Sequence, residues 1–185
     1  MKEDKLFKNR REGFYDVRYI KSDWQFEHLQ DREYKYFYGK SITGRRGYYL
    51  LKPERNEGLQ HFFLVMDIAR YLSKHFKVWI FKTTLPDVIF QFRNKKIGIE
   101  VEIGKVLKDK VKFLNKVKIC NDHFGEDWFF VVTNRNLLKK YRKFGKTYTR
   151  KTVLKKLRWY VRNKPEKLQI IIPKKKVHHS YYYPF

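Results

Sequence analysis

The chain is poor in cysteine and poor in acid, and both shortages constrain it. One thiol, Cys120, stands among 185 residues. An internal disulfide is therefore excluded, as is a zinc site built on several cysteines. The expectation for Cys120 is a small buried hydrophobe, with a reactive thiol as the alternative. Long apolar runs are missing too. A run as long as any, Trp128-Phe129-Phe130-Val131-Val132, falls far short of the ~18 residues that suggest a membrane span. The opening segment, MKEDKLFKNRRE, lacks the apolar stretch of a signal peptide. A cytoplasmic protein in reducing surroundings, with no membrane partner, is expected.

The shortage of acid is the larger signal. Nineteen Asp and Glu stand against forty-four Lys and Arg, a net charge of +25 at pH 7. A charge this large repels itself and weakens the compact state. A polyanion relieves that repulsion and releases its own condensed counterions, so nucleic acid is the expected partner class. The sign of the charge names no activity. Hydrophobic residues at 42% and aromatics at 18% supply a core and exclude a disordered tail.

Three zones follow one another. Residues 1–57 mix aromatics with charge, and the runs 34–38 and 48–51 flanking Gly39 to Gly47 predict a loose hairpin in an N-terminal arm. The turn-rich segment 53–58 closes that zone. In residues 58–133, Phe62, Val65, Met66, Ala69 and Leu72 recur at helical spacing and predict a helix over 59–75. Strands are predicted at 78–81, 88–92 and 97–103, the last two joined by a tight turn at Asn94-Lys95. A helix at 107–119 with Val111, Leu114 and Val117 on one face, and a buried strand at 128–132, complete the order αβββαβ. Beyond 134, a helix over 151–163 and a strand at 168–172 are predicted, giving a mixed sheet between helices.

Within this frame the few acids are conspicuously placed. Asp87 opens the second strand, and Glu100 and Glu102 lie two apart on the third, so they project to one face. Ile97, Ile99, Val101 and Ile103 fill the other face. Two acids on the wet face of an alternating strand are commonplace. In a sheet covered on both faces, however, they face protein, where an unpaired carboxylate costs several kcal/mol and like charges raise that cost. A bound Mg²⁺ or Mn²⁺ would cancel both penalties and could activate water for phosphodiester cleavage.

Pro86-Asp87, twelve intervening residues and Glu100-Val101-Glu102 resemble the PD-(D/E)xK nuclease motif. Gly58 to Phe62 (Gly-Leu-Gln-His-Phe), Leu85-Pro86-Asp87 and the run from Glu100 to Lys105 are similar, more narrowly, to replication-relaxation proteins of plasmids and other mobile elements. The resemblance covers about 58–133. It implies an α/β fold with a restriction-endonuclease-like αβββαβ core and a mixed central sheet. The N-terminal arm precedes that core, and a basic C-terminal helical extension follows from about 134 in a domain spanning 58–185. By resemblance Asp87 and Glu100 are metal ligands for Mg²⁺ or Mn²⁺. The motif's lysine should stand two residues after Glu100, where this chain has Glu102. Some restriction endonucleases of this fold carry Glu-x-Glu and cleave; an inactive DNA-binding descendant is equally allowed. Glu102 would complete the site or orient water, and Lys105 or Lys96 would supply the missing cation. His61 and Asp67 are the candidates from the first helix.

Residues 134–176 hold seventeen Lys and Arg and one acid, Glu166. On the helix at 151–163, Lys155, Lys156, Arg158 and Arg162 oppose the apolar stripe, a geometry suited to phosphate contacts; Arg150 and Lys151 at its start belong to the same expected surface. Arginines and tyrosines alternate through 10–49, a pattern compatible with base stacking and equally with core packing. The tandem His178-His179 has the chemistry to ligate metal, but in a terminal tail it is expected to be incidental. A Mg²⁺-dependent DNA endonuclease or nickase of a mobile element is thus expected, with a non-catalytic DNA-binding accessory protein for plasmid or viral replication or mobilisation as the rival. The expected partners are DNA, duplex or single-stranded, with a second copy of the chain (a homodimer) and replication or mobilisation proteins as further candidates.

Overall fold

The computed structural model describes residues 13–54, 57–81 and 85–165. The predicted strand at 168–172, the tandem His178-His179, and Arg10 and Arg11 lie outside them. Within the described residues the fold is mixed α/β, with a five-stranded mixed sheet, a three-stranded antiparallel sheet and five helices.

The five-stranded sheet has the order β4-β5-β6-β7-β8, formed by Val78–Ile80, Val88–Phe92, Lys95–Glu102, Trp128–Val132 and Thr147–Thr149. β4, β5 and β6 are antiparallel neighbours, and β6, β7 and β8 run parallel. Alternation along β6 and β7 assigns the two faces. Ile97, Ile99 and Val101 join Phe129 and Val131 in the principal core, beneath the helices α2 (Leu59–Leu72) and α5 (Arg150–Arg162). Trp128, Phe130 and Val132 point the other way, to α3 (Lys110–Phe124) and α4 (Leu138–Tyr141). Glu100 and Glu102 pair with Phe130 and Val132, so they lie on the α3 side, covered by protein as the alternation predicts.

α2 is apolar on nearly every side because it is sandwiched. Leu64, Val65, Ile68, Ala69 and Leu72 pack on the five-stranded sheet, while Phe62, Phe63 and Met66 meet Phe14, Tyr49 and Leu51 of the smaller sheet. That smaller sheet has the order β1-β3-β2, from Phe14–Asp16, Lys35–Lys40 and Arg46–Leu51, with α1 (Asp23–Asp31) between β1 and β2. The predicted hairpin is present as β2–β3, with Tyr38 opposite Tyr48. The described part of the arm from Gly13 onward is a folded layer, and Ile42 from the hairpin loop reaches the principal core.

α3 departs from the predicted face. Asp109 caps it by accepting from the Lys112 backbone N–H at 3.0 Å, which separates it from the short 3₁₀ turn at Val106–Lys108. Phe113 and Cys120 are buried, with Val117 and Phe124 packed beside them, whereas Val111 and Leu114 are exposed. The inward stripe is 113/117/120/124, chosen by the aromatic wall of Trp128 and Phe130 rather than by the aliphatic positions. Cys120 is fully buried, as expected, and burial pushes its thiol up to about 12. Among the described residues no helix is long and apolar enough to cross a membrane.

Candidate functional site

β5 and β6 bring the predicted acids together. Val88 pairs with Ile99 across the antiparallel ladder, so Asp87 and Glu100 are its next two facing positions. The approach is eased by Gly98: a Cβ there would stand 3.0 Å from Pro86 Cγ and 3.2 Å from Trp128 Cβ, so a side chain would have to push Pro86 or Trp128 aside by a few tenths of an ångström. Asp87 is also held by its backbone carbonyl, which accepts from the Phe81 N–H at 3.0 Å, and by Oδ2, which accepts from the Val101 N–H at 2.8 Å. Asp87, Glu100 and Glu102 are all buried and line one cleft of about 1690 Å³ between the start of α2 and α3.

Each acid has a partner that balances it. The Lys116 ammonium, on the inward side of α3, forms an ion pair with Glu100 Oε1. Glu102 Oε2 accepts from the Tyr141 hydroxyl at 2.9 Å. His61, on the first turn of α2, places Nε2 3.4 Å from Asp87 Oδ2 and Nδ1 2.8 Å from Glu57 Oε1. Glu100 Oε2 remains buried with no hydrogen-bond partner.

The electrostatics follow from this geometry. Burial first, and then the neighbouring Asp87, lift the Glu100 carboxyl well above the usual carboxylate range, against the pull of Lys116. Burial likewise raises Glu102, opposed by Tyr141 and Lys116. For Lys116, burial works downward, but Glu100, Asp87 and Glu102 outweigh it and the ammonium is raised. His61 resists its burial in the same way and is pushed up to about 10 by Asp87 and Glu57, so it is an imidazolium at neutral pH. Four acids, Glu57 included, and two cations thus form one interlocked cluster. Among the described residues no three His, Cys, Asp or Glu side chains stand together as a ready metal cage.

The other predicted residues divide. Lys105 lines the cleft with Lys52 and Lys112. Lys96 does not; it is exposed and lies 5.7 Å over the Trp79 ring. Asp67 is also elsewhere, accepting from the Ile42 N–H at 2.6 Å to anchor the hairpin loop. On α5, Lys151, Lys155, Arg158 and Arg162 are exposed, Lys156 folds back over the Trp159 and Tyr160 rings at 4.7 and 4.8 Å, and Arg150 is half-buried near Asp67. α5 covers the face of the sheet opposite to Glu100 and Glu102, so the basic helix and the acid cleft are separate surfaces. Lys116 and Tyr141 went unrecognised in the sequence. The usable signal for Lys116 was its place three after Phe113 and four before Cys120, on the inward stripe of α3.

Family models, curated proteins and solved structures were all compared with this chain, and none matches it.

Proposed function

We propose that this chain binds DNA and cleaves or nicks it with a divalent cation, Mg²⁺ or Mn²⁺, held at Asp87 and Glu100, in the upkeep of a plasmid or other mobile element. One observation carries this: buried carboxylates from facing positions of an antiparallel pair open into a cleft of a chain with net charge +25. The order α2–β4–β5–β6–α3–β7 supports a restriction-endonuclease-like core.

The donor set fits the ion. Glu100 Oε2 is buried without a hydrogen-bond partner, Asp87 stands beside it, and Mg²⁺ is commonly held by one or two carboxylates with water and phosphate completing its shell. Such an ion would lower the pKa of a bound water and offset charge on the phosphate. Lys116 holds Glu100 in place and takes the part of the motif's lysine, supplied from α3 instead of β6. Glu102, fixed by Tyr141, is positioned to accept a hydrogen bond from water. Lys105 and Lys112 at the rim offer contacts to the phosphate backbone.

A second reading has its own support. Lys116, His61 and Tyr141 each engage one of the acids directly, contacts that would equally balance the cluster in a non-catalytic DNA-binding accessory protein. Conversion of supercoiled plasmid to nicked circles separates the two. Mn²⁺-dependent nicking that is abolished in Asp87→Asn and Glu100→Gln supports the enzyme. No cleavage of supercoiled, single-stranded or branched DNA with either metal leaves the accessory role.

A further inference from the structure

The smaller sheet has two faces of unlike character. Phe37, Tyr49 and Leu51 turn toward α2, as does Phe14 on β1. On the other face, Tyr15 and Leu50 are covered by Leu29 and Phe26 of α1, and Phe26 also meets the edge of the Tyr36 ring at 6.0 Å. Tyr36, Tyr38 and Tyr48 are left 49%, 56% and 48% exposed. Their rings form a continuous strip, with centroids 5.0 Å apart for Tyr36–Tyr48 and 4.9 Å for Tyr38–Tyr48. Three large aromatic rings are thus half-exposed on the face whose other end, at Tyr15 and Leu50, is buried.

The next rung continues the same face with charge. Lys40 pairs directly with Arg46, and like charges facing each other across a strand pair destabilise it. The hairpin supplies no acid to offset them: residues 34–52 contain Lys35, Lys40, Arg45, Arg46 and Lys52 and neither Asp nor Glu. An anion lying over the Lys40–Arg46 rung would turn the repulsion into attraction. Aromatic rings beside paired cations suit a ligand that is flat and apolar in one part and anionic in the next, repeated along a chain. Unpaired nucleotides have that character, since every base offers a π-face to a tyrosine and every linkage a phosphate to a cation. Duplex DNA does not, because its bases are already stacked on one another. A neutral, proline-rich peptide would leave the cationic rung unrelieved.

We infer that the Tyr36–Tyr48–Tyr38 strip, with Lys40 and Arg46, is a binding site for single-stranded DNA, distinct from both the acid cleft and α5. The inference takes its ligand class from the proposed DNA binding and does not depend on cleavage. It assigns the protein a substrate with an unpaired segment.

The test is fluorescence anisotropy in EDTA, with a labelled thymidine oligonucleotide, a duplex and a uridine oligonucleotide of equal length. Tyr38→Leu/Tyr48→Leu keeps the strand apolar but removes the stacking rings. It should weaken thymidine-oligomer binding about ten- to hundredfold, leaving duplex affinity within about twofold, while Tyr38→Phe/Tyr48→Phe retains wild-type affinity. Arg46→Gln should weaken single-strand binding several-fold while raising the melting temperature, a pairing that loss of fold cannot produce. An unchanged ratio of single-strand to duplex affinity in the Leu variant overturns the inference and leaves DNA binding intact. Tighter binding of the uridine oligomer overturns the choice of DNA. Absence of binding to all three ligands overturns the DNA-binding proposal and this site together.

Discussion

Lys116→Met tests the cluster most directly. Methionine keeps most of the side-chain volume and removes the ammonium that neutralises Glu100, itself 1% exposed. Deleting one partner of a buried ion pair typically costs ~3–5 kcal/mol, since the remaining charge is left uncompensated. The Lys116 side chain is a quarter exposed, and solvent screening reduces the figure, so about 2–4 kcal/mol is expected here. At roughly 2–4 °C per kcal/mol for a protein of this size, the melting temperature should fall by about 6–12 °C for a 3 kcal/mol loss. Glu100→Gln removes the other charge and should cost less, because Lys116 keeps Asp87 and Glu102 as neighbours. The double variant removes the unbalanced charge altogether and should lie within about 1 kcal/mol of wild type. Urea unfolding of the four proteins at pH 8 in EDTA gives the coupling energy by a double-mutant cycle, expected at about 2 kcal/mol or more. Additive effects, or a Lys116→Met protein as stable as wild type, would refute the reasoning. Mn²⁺ at 100 times its Kd should then restore about 2.7 kcal/mol to Lys116→Met if the metal takes the cation's place.

Three further outcomes are expected. Burial raises Asp67 from 3.8 to about 6, so its contribution to stability is fully present below about pH 4 and is lost as pH rises through about 6. Asp67→Asn should accordingly be about 1–2 kcal/mol more stable than wild type at pH 8, with no gain at pH 4, by urea unfolding at the two pH values. Gly98→Ala forces a methyl against Pro86 and the Trp128 backbone junction; it should cost about 1–3 kcal/mol, and any metal-dependent cleavage should fall further than stability does because Asp87 is displaced. Replacing Lys155, Lys156, Arg158 and Arg162 with Gln should flatten the salt dependence of duplex binding by up to about four counterions, measured by titration from 50 to 200 mM salt; an unchanged slope removes α5 from the interface.

The parts legible in the sequence are those where one periodicity runs long enough to be read. α2, β5, β6, β7 and α5 all satisfy that condition, each to within a few residues of its predicted bounds. β1, β4 and β8 are three residues each, and so short an alternation hardly differs from chance. β4 was recovered, through its run of branched and aromatic residues, whereas β1 and β8 were not. α1 was missed although Ser22 caps it, because it buries only Leu29 and shows a weak stripe. The acids were legible because an alternating strand fixes their common face. Their balancing partners were not, because Lys116 and Tyr141 come from helices whose rotation is decided by packing against Trp128 and Phe130. The inward face of α3 was misassigned for the same reason: Val111 and Leu114 have helical spacing, but Phe113 and Cys120 fit the aromatic wall.

Separation of the basic helix from the acid cleft changes what each can do. The strongest local excess of charge is near α5, yet Glu100 and Glu102 open on the other side of the sheet, so under the proposed function any phosphate contacts of α5 would lie away from the bond to be cleaved. Binding energy made on α5 is the same before and during a reaction in the cleft, and energy shared equally by both states tightens binding without accelerating chemistry. Cations at the cleft itself, Lys105, Lys112 and Lys52 at its wall with Lys116 and His61 beside the acids, are placed to respond to charge developing on a phosphate bound there. Neutralising α5 should therefore raise the DNA concentration needed for half-maximal nicking and leave the saturated rate unchanged, whereas Lys105→Gln should lower that rate.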